Sequence, residues 1–168
     1  MKNKSKVGVL FCCTANICRS PTAEVMFRDK ATRAGIIDLL EIDSAATHDY
    51  RLGEPPAAQA QLAASRRGYD LSALRARLVN RDDLESFEYI LAMDMGNLTV
   101  LHKLGDEDLW DKPRLMMSYS KIYKVREVPD PYSGGPEGFE LALDMLESAT
   151  DGLLAEIQAG LSQNDTSR

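Results

Sequence analysis

Three cysteines fall within one short stretch, Cys12-Cys13-Thr14-Ala15-Asn16-Ile17-Cys18-Arg19-Ser20-Pro21, which contains a cysteine, five residues, an arginine and a serine. A loop of that length entering a helix can turn successive backbone N–H groups inward. It then forms a concave nest for a tetrahedral dianion at the positive end of the helix dipole. Thr14, Ala15, Asn16, Ile17 and Cys18 would supply those amides. Arg19, placed where the helix begins, offers two parallel donors to two equatorial oxygens, a planar grip that lysine cannot reproduce. The same donors favour an ionised sulfur at Cys13, set for in-line attack on phosphorus. Ser20 can donate a hydrogen bond to that sulfur and help it leave in a second step. Charge-assisted bonds of this kind contribute about 1.5–3 kcal/mol each. They converge as charge redistributes in a loose transition state, which is what phosphoryl transfer needs.

The neighbouring cysteines read differently. Cys12 ends an apolar run and behaves as a small buried hydrophobe. Cys18 has two readings, as packing or as a partner that pairs with Cys13 under oxidants and shields it from over-oxidation. Cleaving a phosphate ester also requires a proton for the leaving oxygen, worth about 10²–10⁴ in rate. No histidine is available near a loop, whereas Asp130 sits in the breaker cluster Pro129-Asp-Pro-Tyr-Ser-Gly-Gly135. The proline after Asp130 forces an extended backbone that projects the carboxyl. Three clustered cysteines without a second pair, and two widely separated histidines, offer no metal-ligand spacing, so neither metal nor cofactor is expected.

Such a loop needs a strand before it and a helix after it. Residues 6–12 form a short, nearly continuous apolar run, as in a strand buried on both faces of a parallel sheet. Ser20 is an N-cap candidate with Pro21 at the first helical position. Ala23, Phe27, Ala31 and Ala34 continue at helical spacing up to Gly35. The expected order continues with a strand over 36–44 and a helix opened by Pro55-Pro56 that ends near Gly68. A helical turn at 80–84, a strand at 88–93, and a helix capped by Asp94 that runs to about Gly105 follow. A fourth strand at 114–118 precedes a long connection and an amphipathic C-terminal helix carrying Phe139, Leu143, Leu146, Leu153, Ile157 and Leu161. Residues 163–168 are polar and expected to fray. Alternating strands and helices imply a single α/β domain over residues 1–168. Its form is a doubly wound three-layer sandwich with a four-stranded parallel sheet, and its ligand site lies at the carboxyl ends of the strands.

Composition narrows the function classes. The chain has 168 residues, 44% hydrophobic and 27% charged, which is ordinary globular usage and excludes collagen, low-complexity and coiled-coil readings. A formal charge of −6 without any basic run argues against nucleic-acid binding. The longest apolar stretch, residues 7–13, is too short for a bilayer, so no membrane association is expected. Although Lys2, Lys4 and Lys6 mimic a signal sequence's basic end, no cleavage-type patch follows, which suggests the cytoplasm.

The segment Cys-Thr-Ala-Asn-Ile-Cys-Arg-Ser-Pro-Thr-Ala-Glu at 13–24 resembles the phosphate loop of the low-molecular-weight protein tyrosine phosphatases, usually Cys-x-Gly-Asn-Ile-Cys-Arg-Ser-Pro. The likeness extends to Ser44-Ala-Ala-Thr47, Gly-Glu-Pro-Pro at 53–56, Arg75-Ala-Arg77, Met93-Asp94, Asn97-Leu98, Asp130-Pro-Tyr132 and Glu137-Gly-Phe139. The resemblance implies Cys13 as nucleophile, Arg19 as phosphate-binding arginine and Asp130 as general acid. It further implies that Asn16 and Ser44 are a hydrogen-bonded pair fixing the loop, and that Tyr50 and Tyr132 are aromatic walls selecting phosphotyrosine. Its partners would be tyrosine-phosphorylated proteins, among them bacterial tyrosine kinases, and its state a monomer or weak dimer. Three positions depart from the family's pattern. Ala15 replaces a loop glycine and must avoid positive φ or accept strain. Leu74 replaces a histidine that braces Asn16 in many members, and Ser133 replaces a second tyrosine. A protein-arginine phosphatase typically has threonine at the position of Ile17, and a noncatalytic phosphoprotein-binding module would normally lose the thiol or the acid. An arsenate reductase needs later cysteines, and none follows Cys18.

Overall fold

Strand β1, Val7–Cys13, is buried from Gly8 onward and pairs in parallel with a neighbour on each side. The structure is a computed structural model describing residues 5–167. Lys2, Lys4 and Arg168 lie outside the described residues. Elements follow as α1 (Arg19–Arg33), β2 (Leu40–Ala46), α2 (Ala58–Ser65), α3 (Arg81–Ser86), β3 (Tyr89–Ala92), α4 (Met95–Leu104), β4 (Pro113–Leu115) and α5 (Pro136–Thr166). The sheet has the order β2-β1-β3-β4, all parallel, with helices on both faces, as the alternation of elements predicts.

Because side chains alternate along a strand, β1 feeds two cores. Val9, Phe11 and Cys13 join Phe27 of α1, Ala60 and Ala64 of α2, and Leu143 and Leu153 of α5. Leu10 and Cys12 join Leu84 of α3, Ile90 of β3 and Leu101 of α4 on the other face. The Phe11 and Phe27 rings meet edge to face at 5.7 Å, tying strand to helix directly beyond the loop they flank. Fully burying a leucine such as Leu10 contributes about 1.5–3 kcal/mol.

Several boundaries differ from the sequence-based expectation. Helix α1 begins at Arg19 with Cys18 at its N-cap. Ser20 does not cap it, because its hydroxyl is engaged inside the loop. Strand β2 starts at Leu40 and not at residue 36. Gly35, at φ 73, and a 3₁₀ turn over Ile37–Leu39 intervene, and pairing with β1 carries the strand on to Ala46. The residues Pro55-Pro56 precede α2 rather than open it, since the Ala57 N–H donates to the Ile17 carbonyl at 2.9 Å in an extended conformation. Strand β4 is three residues long. The chain then folds into a 3₁₀ turn, Met116–Tyr119, which buries Met116 and Met117. Of the stretch 163–168 expected to fray, residues 163–166 are helical, and Arg168 lies outside the described residues. Helix α5 continues to Thr166, where Thr166 and Ser167 hydroxyls donate to the Gln163 carbonyl.

Helix α5 and the 116–119 turn approach so closely that a Cβ on Gly152 would lie 1.8 Å from the Tyr119 carbonyl oxygen, so only glycine fits there. Among the described residues no helix is long and apolar enough to cross a membrane.

Candidate active site

Residues 14–18 connect β1 to α1 at the carboxyl end of the sheet. The loop's turn is set by Asn16, at φ 58 the only described non-glycine residue with positive φ. Asparagine tolerates this left-handed region. Ala15 therefore keeps an ordinary backbone, and the loss of the family's glycine introduces no strain there.

The Asn16 side chain organises the loop interior. Its Nδ2 donates to Ser20 Oγ at 2.8 Å and to Ser44 Oγ at 3.0 Å, and its Oδ1 accepts the Arg77 backbone N–H at 3.2 Å. That backbone donor braces Asn16 where Leu74 offers no polar side chain. An amide nitrogen only donates, so Ser20 Oγ spends a lone pair on Asn16. Its own proton is left for Cys13 Sγ, 2.9 Å away. The Ser20 N–H also points to that sulfur, at 3.4 Å. Ser44 passes its proton to Glu24 Oε1 at 2.8 Å, and Arg28 Nε holds Glu24 Oε2 at 2.9 Å. Burial raises the pKa of Glu24, and the hydrogen bonds from Ser44 and Arg28 oppose the rise.

Arg19 is 2% exposed and anchored from outside the loop. Its Nη1 donates to Asp94 Oδ2 and to the Val128 carbonyl, both at 2.8 Å. This leaves the Nε–Nη2 edge for a ligand, with Nη2 3.4 Å from Thr14 Oγ1 and 3.7 Å from Asp130 Oδ2. Asp94, expected as a helix cap and as part of the Met93-Asp94 likeness, serves two elements at once. It caps α4 with Oδ1, which accepts the Asn97 N–H at 2.8 Å, and holds Arg19 with Oδ2. Asn97, buried, donates to Thr14 and Thr47 hydroxyls at 3.1 Å each. Asp94 and Asn97 belong to motifs that carry the resemblance. Their pairing with the loop has no signal in spacing, because it joins residues at least 75 positions apart in sequence.

Asp130 is half-exposed and faces the loop. Its Oδ1 accepts the Tyr132 N–H at 3.0 Å, an Asx-type contact that leaves Oδ2 toward Arg19. Cys13, Thr14, Ala15, Ile17, Cys18 and Arg19 line one side of a cleft of about 350 Å³, and Tyr50, Arg51, Asp130 and Tyr132 complete it. Asn16, Ser20 and Ser44 lie beneath it, buried, as support. Tyr50 stacks on His48 at 5.1 Å, and Arg51 Nη2 donates to the Tyr132 hydroxyl at 2.9 Å while its guanidinium lies 5.7 Å from that ring. Arg51 belongs to none of the sequence motifs.

All three cysteines are free. Burial pushes the Cys12 thiol well above its ordinary range and Cys18 to about 12, with the Cys13 sulfur as the next cause in each case. Both therefore stay protonated at neutrality. Among the described residues no cluster of three or more His, Cys, Asp or Glu could hold a metal ion.

The family profile described as "Low molecular weight phosphotyrosine protein phosphatase" matches residues 8–163. The low molecular weight protein-tyrosine-phosphatase YfkJ of Bacillus subtilis is 35% identical over 152 residues, spanning 90% of this chain and 96% of that protein. The human low molecular weight phosphotyrosine protein phosphatase is 37% identical over 142 residues, covering 83% and 89%. A crystal structure of a protein tyrosine phosphatase from Entamoeba histolytica superposes with a TM-score of 0.89 at 33% identity, over 92% of this chain and 99% of that one. A cysteine loop on β1, clamped by asparagine and facing an arginine, thus occurs here in a chain that belongs to the low molecular weight phosphotyrosine protein phosphatase family.

Proposed function

We propose that this chain hydrolyses phosphotyrosine in proteins in two steps on Cys13. The Cys13 sulfur attacks phosphorus in line, forming an S–P bond as the P–O bond to the phenol breaks. Asp130 Oδ2 gives its proton to the departing phenolate oxygen. Water then attacks the phosphocysteine, Asp130 takes its proton, the S–P bond breaks, and the sulfur returns as thiolate with the Ser20 proton beside it. Loop amides of Thr14 to Cys18 and the Nε–Nη2 edge of Arg19 hold the equatorial oxygens throughout.

The observation that carries this reading is the 2.9 Å contact between Ser20 Oγ and Cys13 Sγ, at the floor of a cleft that also holds Arg19 and Asp130. Ile17 and the rings of Tyr50 and Tyr132 line that cleft, which favours an aryl phosphate over phosphoarginine or phosphoserine. The retained thiol and acid favour turnover over mere binding. Within this reading the substrate is a tyrosine-phosphorylated protein, and a bacterial tyrosine kinase fits that class of partner. The working unit is one domain acting as a monomer or weak dimer, and its free cysteines suit the reducing cytoplasm.

Initial rates on matched phosphotyrosine, phosphoarginine and phosphoserine peptides test the reading, with phosphotyrosine expected to be turned over fastest. Cys13→Ser should lower kcat at least about 10³-fold while still binding phosphotyrosine peptide. Near-normal turnover by that variant would remove Cys13 from the mechanism.

A further inference from the structure

The active cleft continues past Tyr132. A second hollow of about 410 Å³ shares Ile17 and Tyr132 with the cleft and is walled by Pro55, Ala57 and Ala58 of the α2 entrance and by Phe139 of α5. A third, of about 240 Å³, shares Phe139 with the second and ends at Leu62 and Pro136. Together they form one groove running along α2 and past the amino-terminal end of α5, opening from the cleft at Ile17 and Tyr132.

The third hollow is mostly apolar, bordered by Arg66, whereas the second is apolar and polar in about equal parts, with Glu54 and Gln59 beside its apolar residues. Leu62 is 52% exposed on the wall of the third hollow, and it also borders another hollow on the far side of α2. The carboxylates along it already have cations: Glu54 pairs with Arg51 at 3.5 Å and Glu140 with Arg67 at 2.6 Å. The groove's position is fixed to the loop, because the Ala57 N–H donates to the Ile17 carbonyl. An extended peptide advances about 3.3 Å per residue and returns a side chain to the same face every second residue. With phosphotyrosine in the cleft, the residue two positions away would lie over the second hollow, and the residue four positions away would lie toward Leu62.

We propose that this groove reads the sequence around the phosphotyrosine, preferring substrates with an apolar side chain two positions from it and a second one at four. The inference rests on the phosphatase reading above and adds a substrate class to it. Kinetics on phosphotyrosine peptides carrying leucine, serine or glutamate at these positions, on either side, would test it, with para-nitrophenyl phosphate as a reference too small to enter the groove. On one side, leucine should raise kcat/KM about tenfold over serine, mainly through KM. In Leu62→Asp and Ala58→Asp, two exposed positions where aspartate leaves the core intact, that ratio should fall toward unity. Turnover of para-nitrophenyl phosphate with equal kcat/KM for all the peptides would overturn the groove assignment while leaving the phosphatase reading intact. Absence of any turnover by the wild-type chain would overturn both. If sedimentation showed a dimer that Leu62→Asp dissolves while peptide preference survived, the groove would belong to a second copy of the chain and the proposal would fall.

Discussion

Asn16 decides which way protons point around the Cys13 sulfur. Its two amide protons go to Ser20 and Ser44, so Ser20 directs its own to sulfur and Ser44 directs its own to Glu24. The chain of donors ends on a buried carboxylate held by Arg28, and that carboxylate carries a pH signature. Glu24 has a pKa raised above its ordinary 4.5, chiefly by burial, so the folded protein keeps this proton more tightly than the unfolded chain does. The corresponding stability is fully present below about 4.5 and is lost as pH rises through the raised value. In urea unfolding from pH 4 to 7, the difference in stability between wild type and Glu24→Gln should therefore move against wild type as pH increases. A pH-independent difference would show that Glu24 titrates alike in both states. Much of this site was legible in the sequence. Cys13, Arg19 and Ser20 follow from the chemistry of their spacing, whereas the Arg77 backbone brace of Asn16 does not, since a main-chain donor leaves no side-chain signal.

At the scale of elements, two contacts carry distinct consequences. Asp94 joins the start of α4 to Arg19 with one oxygen for each task. Asp94→Asn can retain the cap, because an amide oxygen accepts from the Asn97 N–H, but it removes the charge opposite a guanidinium that is 2% exposed. The variant should lose about tenfold or more in kcat/KM toward aryl phosphates with a smaller loss in thermal stability. Equal losses in Asp94→Asn and Asp94→Ala would place the whole effect in the charge, and equal retention would show that Arg19 needs no anchor. Gly152→Ala is a purely structural case. The added methyl would meet the Tyr119 carbonyl at 1.8 Å, forcing α5 away from the 116–119 turn at a cost of about 1–3 kcal/mol, readable as a lower urea midpoint. Element order and type were readable from apolar runs and caps, including Asp94. The boundaries that moved did so for tertiary reasons. Strand β2 is placed by its register with β1, and Ser20 is drawn away from capping by the sulfur it serves.

For the whole molecule, the division into two cores explains why one short strand bears so much. β1 lies between β2 and β3, turns alternate side chains into opposite cores, and delivers Cys13 at its end. The parallel sandwich was legible because both-face burial and alternating strands and helices leave few other arrangements. The groove beyond Tyr132 was not, since Ala57, Leu62 and Phe139 meet only after α2 and α5 are packed. The loop itself has the same dependence on distant chain. Its supports arrive from Ser44, Arg77, Asp94, Asn97 and Val128, separated from it by 28 to 109 positions. Local sequence alone therefore cannot assemble a working pocket. On dilution from denaturant, helical circular dichroism should recover ahead of enzymatic turnover, which would return only when cooperative protection of β1 amides from deuterium exchange reports a complete fold.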